Sequence, residues 1–119
     1  MVEMRKTFPV LSICIPTLGG GDRIEEGIQR ILSYSGDDIE IIISDNDKTS
    51  NLKNILDKLG DKRVKYYFND YNYGPCYNWI KVLTYGTGKY LLTLNDNDWL
   101  IAENIPELLC FLNLMFCHY

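Results

Sequence analysis

The segment Glu40-Ile41-Ile42-Ile43-Ser44 constrains the fold of this chain more than any other. It is apolar almost without interruption, as a strand covered on both faces should be, and such strands belong to parallel sheets. Strand-like and helix-like segments alternate around it. Val10 to Ile15 reads as a first strand stopped by Pro16. A Gly19-Gly20-Gly21 loop leads to Asp22, a suitable N-cap, after which Ile24, Ile28, Ile31 and Leu32 fall on one helical stripe. Thr49 or Ser50 can cap a second helix carrying Leu52, Ile55, Leu56 and Leu59, and Gly60 ends it.

Val64 to Phe68 reads as a third strand, and Pro75 suits the first turn of a third helix running to about Tyr85. Gly86 and Gly88 close that helix before a fourth strand, Tyr90 to Leu94. Helices bridging strands at these distances imply parallel crossovers. The expected fold class is therefore α/β, with an open, mostly parallel sheet flanked by helices. At 119 residues the chain fits one domain with a core of its own.

Composition narrows the functions. A net charge of -4 with no basic patch argues against nucleic acid as a partner. Cys14, Cys76, Cys110 and Cys117 are scattered without metal-finger spacing. With no secretory leader at the N-terminus, they read as free thiols in a reducing cytoplasm. No apolar run is long enough to span a bilayer, so any membrane contact is expected to be peripheral, at the inner face. His118 is the single histidine, which disfavours Ser-His-Asp or Cys-His catalysis. Neither a phosphate loop nor a GxGxxG fingerprint is present.

Open α/β sheets bind ligands in the crevice beyond the carboxyl ends of their strands. Here those ends are Pro16-Thr17, Asp45-Asn46-Asp47 and Asn95-Asp96-Asn97-Asp98. All are polar and two are acidic. A cluster of short oxygen side chains suits Mg²⁺ or Mn²⁺, which bind through one or two carboxylates plus substrate phosphates. Asn and Asp also favour plain turns, and Asp45 and Asp47 could serve only to cap the next helix. Tyr77 and Trp79 read as packing residues, Lys81 as part of a solvated helix face, and Gly74 as a positive-φ position.

Four segments in register resemble a known family. Val10 to Thr17 (VLSICIPT), Glu40 to Ser50 (EIIISDNDKTS), Asn69 to Gly74 (NDYNYG) and Gly88 to Leu100 (GKYLLTLNDNDWL) are similar to the N-terminal half of the family 2 inverting glycosyltransferases. That half has the GT-A, Rossmann-like fold and binds the nucleotide. The resemblance runs from about Pro9 to Leu100. It implies a sugar-nucleotide donor, most often UDP-linked, with nucleotide contacts at Pro16, Thr17, Asp45, Asn46 and Asp96. Asp45 is then expected to accept a hydrogen bond from uracil. The resemblance also implies a divalent ion, Mn²⁺ or Mg²⁺, held by the DxD-like residues Asp96, Asn97 and Asp98, and a saccharide or lipid-linked acceptor.

The chain departs from the family pattern in two places. Aligned on the following Trp99-Leu100, the first and third acids of the motif fall on Asn95 and Asn97, while a literal DxD reads Asp96-Asn97-Asp98. Either the register is shifted by one, or a carboxamide oxygen replaces a carboxylate at the metal. The family's general base and most of its acceptor site lie in a C-terminal half that has no counterpart here. Residues 1–119 thus read as a single donor-binding domain, truncated relative to a full glycosyltransferase. Pro106 to Tyr119 reads as a last helix apolar on more than one stripe, which calls for burial on both sides, in a homodimer or against a missing domain. A non-catalytic remnant that keeps nucleotide affinity is the alternative function. A receiver domain with an acidic pocket is disfavoured, because no lysine follows a later strand in the expected place. Asp45→Ala and Asp98→Ala are expected to abolish metal-dependent nucleotide binding without unfolding.

Overall fold

The computed structural model describes residues 8–116. Its elements are β1 (Leu11–Thr17), α1 (Ile24–Leu32), β2 (Ile39–Asp45), α2 (Leu52–Leu59), β3 (Val64–Phe68), α3 (Pro75–Thr84), β4 (Tyr90–Thr93), a short 3₁₀ turn (Ala102–Asn104) and α4 (Ile105–Phe116). The strands form one parallel sheet in the order β3-β2-β1-β4. The expected fold class therefore stands. Two central strands, β1 and β2, are buried along their whole length.

Alternation along these strands sorts the core into two unequal layers. Leu11, Ile13, Ile15, Ile39, Ile41 and Ile43 pack with Ile24, Ile28 and Ile31 of α1, Leu52 and Leu56 of α2, and Ile105 and Leu109 of α4. Among the described residues, the buried apolar side chains of the opposite face are Cys14 and Ile42 against Val82 of α3, with Tyr67, Leu83 and Tyr85 at the margin. Ser12, Glu40 and Ser44 share that second face and are also buried. So β2 is less purely apolar than its isoleucines imply. Its even positions carry a buried acid and a buried hydroxyl.

Several boundaries differ from the sequence expectation. β1 does not stop at Pro16 but runs through it to Thr17, pairing Pro16 with Ser44. The Cys14 carbonyl accepts from Leu94 N–H, so Pro16, two residues on, turns its nitrogen toward the same β4 side. There the ladder has already ended at Cys14 and Thr93, and no N–H is needed. Asp22 does not cap α1; Arg23 stands at the N-cap without a side-chain bond. At α2 the N-cap is Asn51, and Ser50 Oγ accepts from Leu52 N–H at 3.4 Å. Gly60 closes α2 in the left-handed region at φ 64°, as expected.

α4 begins at Ile105. Ile105 and Leu109 are buried, yet Phe111, Leu114 and Met115 are 55%, 65% and 50% exposed. The second apolar stripe is therefore open. His118 and Cys117 lie outside the described residues; Cys14, Cys76 and Cys110 are free thiols. Burial pushes the Cys14 thiol up to about 11, so it behaves as a small hydrophobe rather than a nucleophile. Among the described residues no helix is long and apolar enough to cross a membrane.

Candidate functional site

The carboxyl ends of β1, β2 and β4 open into one cleft of about 290 Å³. Pro16, Thr17 and Leu18 line it from the first strand, Asn46 from the second, and Asn95 and Asp96 from the fourth. Asn72 of the loop after β3 and Pro75, Asn78 and Trp79 of α3 complete the wall. Of the residues predicted from sequence, the structure brings Pro16, Thr17, Asn46 and Asp96 together in this cleft.

Thr17 ties two of the strand ends to each other. Its hydroxyl donates to Asp96 Oδ2 at 2.6 Å and accepts from the Gly20 N–H at 2.9 Å. The acid after β4 is thereby joined to the glycine loop after β1. Thr17→Val keeps the shape of the side chain and leaves the Gly20 donor without this partner. A loss of about 1–2 kcal/mol in thermal or urea denaturation is expected.

Asp45 is placed differently. It is fully buried and is not among the cleft-lining residues. Its Oδ1 accepts from the N–H groups of Gly19 and Asp47, each at 2.8 Å. Its Oδ2 accepts from Ser50 Oγ at 2.5 Å and Tyr66 Oη at 2.8 Å. Burial, together with donation to Asp45, pushes the Tyr66 hydroxyl up to about 12, so it remains a donor at neutral pH. Asp45 thus holds the loops after β1 and β2 from beneath. Asp47 makes an Asx turn, accepting from Thr49 N–H at 3.0 Å and Thr49 Oγ1 at 2.6 Å. Those bonds hold its carboxyl below the usual aspartate range.

The acidic loop divides. Asp96 faces the cleft, whereas Asn97 and Asp98 are exposed and do not line it. A turn decides this: Asp98 N–H donates to the Asn95 carbonyl at 3.0 Å, and Asn95 Nδ2 donates to Asp98 Oδ2 at 3.2 Å. Asp96 Oδ2 and Asn97 Oδ1 lie beside Gly21, within 3.8 and 3.7 Å of where a Cβ would stand. Among the described residues, no three His, Cys, Asp or Glu side chains form a group that could hold a metal ion. What the loop offers is oxygen only, from Asp96, Asn97 and Asp98. Oxygen is the ligand type a hard divalent ion takes, and of these three residues only Asp96 lines the cleft.

Sequence reasoning missed a carboxamide network under the cleft. Asn78 Nδ2 donates to the carbonyls of Thr17 (3.1 Å) and Ser44 (2.9 Å), and its Oδ1 accepts from Ser44 Oγ (2.7 Å) and Asn69 Nδ2 (3.0 Å). Asn69 Nδ2 also donates to Asn46 Oδ1 at 2.7 Å, and Asn46 Nδ2 to the Gly74 carbonyl at 3.1 Å. One signal was available: Asn78 sits four positions before Val82, a polar residue on the buried stripe of α3. Trp79 needs correction too. It is 37% exposed and forms cleft wall, while Tyr77 is 41% exposed and meets Tyr73 with ring centroids 4.8 Å apart. Neither is a buried packing residue.

An open parallel sheet with a polar crevice at its carboxyl edge defines the class as an open α/β domain with a ligand crevice at its strand ends. The fold of S. aureus TarS 1-349, solved in complex with UDP, agrees with a TM-score of 0.77 at 19% identity, over 87% of this chain and 32% of that one. The mannosyltransferase PcManGT from Pyrobaculum calidifontis, in complex with GDP-Man and Mn²⁺, agrees at 0.68 and 16% identity, over 82% of this chain and 30% of that one. The sequence profile of Glycosyl transferase family 2 matches residues 12–113, and the chain belongs to that family.

Relatives by sequence carry the same assignment. The chain is 30% identical over 114 residues to the GalNAc(5)-diNAcBac-PP-undecaprenol beta-1,3-glucosyltransferase of Campylobacter jejuni, covering 93% of this chain and 37% of that protein. It is 27% identical over 103 residues to the UDP-Glc:alpha-D-GlcNAc-diphosphoundecaprenol beta-1,3-glucosyltransferase WfaP of Escherichia coli, covering 87% and 41%. This chain spans between 34% and 43% of the length of the curated relatives it matches.

Proposed function

We propose that this chain is the donor-binding half of a metal-assisted glycosyltransferase. It takes a nucleotide-diphosphate sugar, UDP-linked, for transfer to a saccharide on a lipid-linked acceptor. The observation that carries this reading is the convergence of Pro16, Thr17, Asn46 and Asp96, from three strand ends, on one cleft bordered by an oxygen-rich loop. The printed activities of the two glucosyltransferase relatives support the donor and acceptor classes. Polar backbone and carboxamide groups around Thr17 and Asn46 suit a nucleoside, and Trp79 supplies an aromatic wall.

Asp96 and Asp98, with Asn97 between them, would hold the ion. When bound, it neutralises charge on the departing diphosphate. For Asp45 to accept a uracil N–H, one of its four donors must release it. Ser50 and Tyr66 are the two that can rotate away. The acceptor base is assigned to sequence beyond this chain, as its relatives' greater length allows. The remnant reading is not favoured by a family match reaching from residue 12 to residue 113. An undecaprenol-type acceptor sets the reaction at the cytoplasmic membrane surface, and the open stripe of Phe111, Leu114 and Met115 supports a covering surface on α4, in a homodimer or a longer protein.

Calorimetry of UDP binding with and without Mn²⁺ tests the proposal. UDP is expected to bind the parent more tightly with the ion. Asp96→Ala and Asp98→Ala are expected to weaken that linked binding by at least about 10-fold, the loss typical even of outer partners at metal sites. UDP affinity indifferent to Mn²⁺ and to both substitutions would overturn the donor-site reading.

A further inference from the structure

The acidic loop hangs between two anchors. Asp96 is fixed by Thr17, and the residue that ends the loop, Trp99, is laid against α1. Gly27 makes that contact: a Cβ there would come within 3.2 Å of Trp99 Cδ1 and 3.7 Å of the Asp98 carbonyl. Any side chain at position 27 therefore requires the indole to give by a few tenths of an ångström, while the Asp98 carbonyl stays at ordinary contact distance. Over the ring stands the Arg30 guanidinium, with Cζ 4.1 Å from the centroid, and Arg23 lies farther off at 5.7 Å. Glu26 holds Arg30 in place through a 3.1 Å ion pair one turn earlier on the helix. A glutamate four residues before an arginine is the favourable order for such a pair.

These contacts have no role in building the core. Arg30 and Glu26 have side chains 51% and 54% exposed, and Trp99 is 39% exposed. A half-exposed tryptophan held between a glycine and a cation is costly to order unless its position matters. What it orders is the one backbone segment that carries Asp96, Asn97 and Asp98.

We infer that Trp99, seated on Gly27 and covered by Arg30, is a positioning residue that fixes the oxygen ligands of the acidic loop before a cation arrives. The inference deepens the donor-site proposal and rests on it for the identity of the ligand. Its structural half, that Arg30 and Gly27 order residues 95–99, stands on the geometry alone. Arg30 acts here through Trp99 and touches neither nucleotide nor ion.

The test uses Arg30→Met, Arg30→Lys and Gly27→Ala in the chain as it stands. Two quantities are read: the Mn²⁺ affinity at saturating UDP, and amide hydrogen exchange across residues 95–99 without metal. Arg30→Met is expected to weaken Mn²⁺ about five-fold, the scale of one cation-π contact, and to speed exchange in the loop. Metal-free UDP affinity and the melting temperature are expected to stay near the parent values. Arg30→Lys keeps a cation over the ring and is expected to restore much of both. Gly27→Ala, which displaces the indole, is expected to weaken Mn²⁺ at least as much as Arg30→Met. Parent-like exchange in Arg30→Met, or parent-like Mn²⁺ affinity beside a working UDP site, overturns the inference. Where the parent itself shows no Mn²⁺-linked UDP binding, the donor-site reading falls, and the exchange data alone decide whether Trp99 orders the loop.

Discussion

Asp45→Ala is expected to cost about 3–5 kcal/mol of stability, a loss usually reserved for breaking a buried ionic or charged hydrogen-bond group. Four donors converge on the carboxylate, and alanine offers none of them an acceptor. The Tyr66 and Ser50 hydroxyls can turn toward each other, since their oxygens are already 3.5 Å apart. The two backbone N–H groups, of Gly19 and Asp47, cannot turn away, because each belongs to a tight loop at a strand end. A side chain with 0% exposure leaves a hole that water enters only by loosening those loops.

For a domain of this size the loss corresponds to a fall in melting temperature of roughly 10–20 °C. Asp45→Asn is the informative partner. A carboxamide oxygen can still accept from Gly19 and Asp47, and its NH₂ can donate to hydroxyls that reorient. It should therefore recover about half of the loss, measured by thermal denaturation at neutral pH. Equal melting temperatures for the parent and Asp45→Ala would show that this carboxylate is not structural. The sequence-based expectation that Asp45→Ala spares the fold is revised by the same geometry. Loss of nucleotide binding in that variant would not separate unfolding of the crevice from removal of a ligand contact. Asp96 and Asp98, which are not buried, give the cleaner test of binding.

How much could be read in advance follows from where each signal resides. Ile41, Ile42 and Ile43 announce a two-sided strand locally, and the helical stripes at Ile24, Ile28 and Ile31 or Leu52 and Leu56 are equally local. Those features predicted the fold class and element order. The site's polar geometry was harder, because it is made by pairs far apart in the chain. Thr17 meets Asp96, and Asn78 meets Thr17 and Ser44, across separations that periodicity does not record. Acids are seldom fully buried, so Asp45 at a strand end reads as a ligand-facing residue until Gly19 and Tyr66 are seen to close over it. The split of Asp96 from Asp98 depends on one reverse turn within four similar residues. Glu40 was absorbed into an apolar run for the same reason. Its partners come from other strands and from the loop before β4.

Glu40 lies at the other edge of the sheet, away from the cleft, and it carries the second large prediction. Its side chain is 3% exposed and ion-paired to Lys65 Nζ at 2.7 Å. Its Oε2 accepts from Ser12 Oγ at 2.5 Å, Thr87 N–H at 2.7 Å and Thr87 Oγ1 at 2.8 Å. Ser12 Oγ in turn accepts from Gly88 N–H at 2.8 Å, so one carboxylate joins β1, β2, β3 and the loop into β4. Burial pulls the Glu40 carboxyl up, but the bonds from Lys65, Ser12 and Thr87 outweigh it and hold its pKa below the ordinary 4.5.

The consequence for stability has a definite sign. On acidification the unfolded chain takes up the proton first, near 4.5, while the folded chain keeps the carboxylate ionised. The contribution of Glu40 is thus complete above that pH and is lost as pH falls through its lower folded value. Glu40→Gln keeps the size but sets an NH₂ against Lys65 or against the Ser12 and Thr87 donors. It is expected to cost about 2–4 kcal/mol at pH 7. Denaturant melts of both proteins from pH 7 to pH 3 should show the difference constant down to about pH 4.5, then shrinking. Asp47 and Asp61, whose pKa values are also lowered, contribute the same pH dependence to both proteins and cancel in that difference. A gap between parent and Glu40→Gln that stays unchanged at pH 3 would mean that folding does not lower the Glu40 pKa and that the cost of glutamine lies in its misplaced NH₂ group.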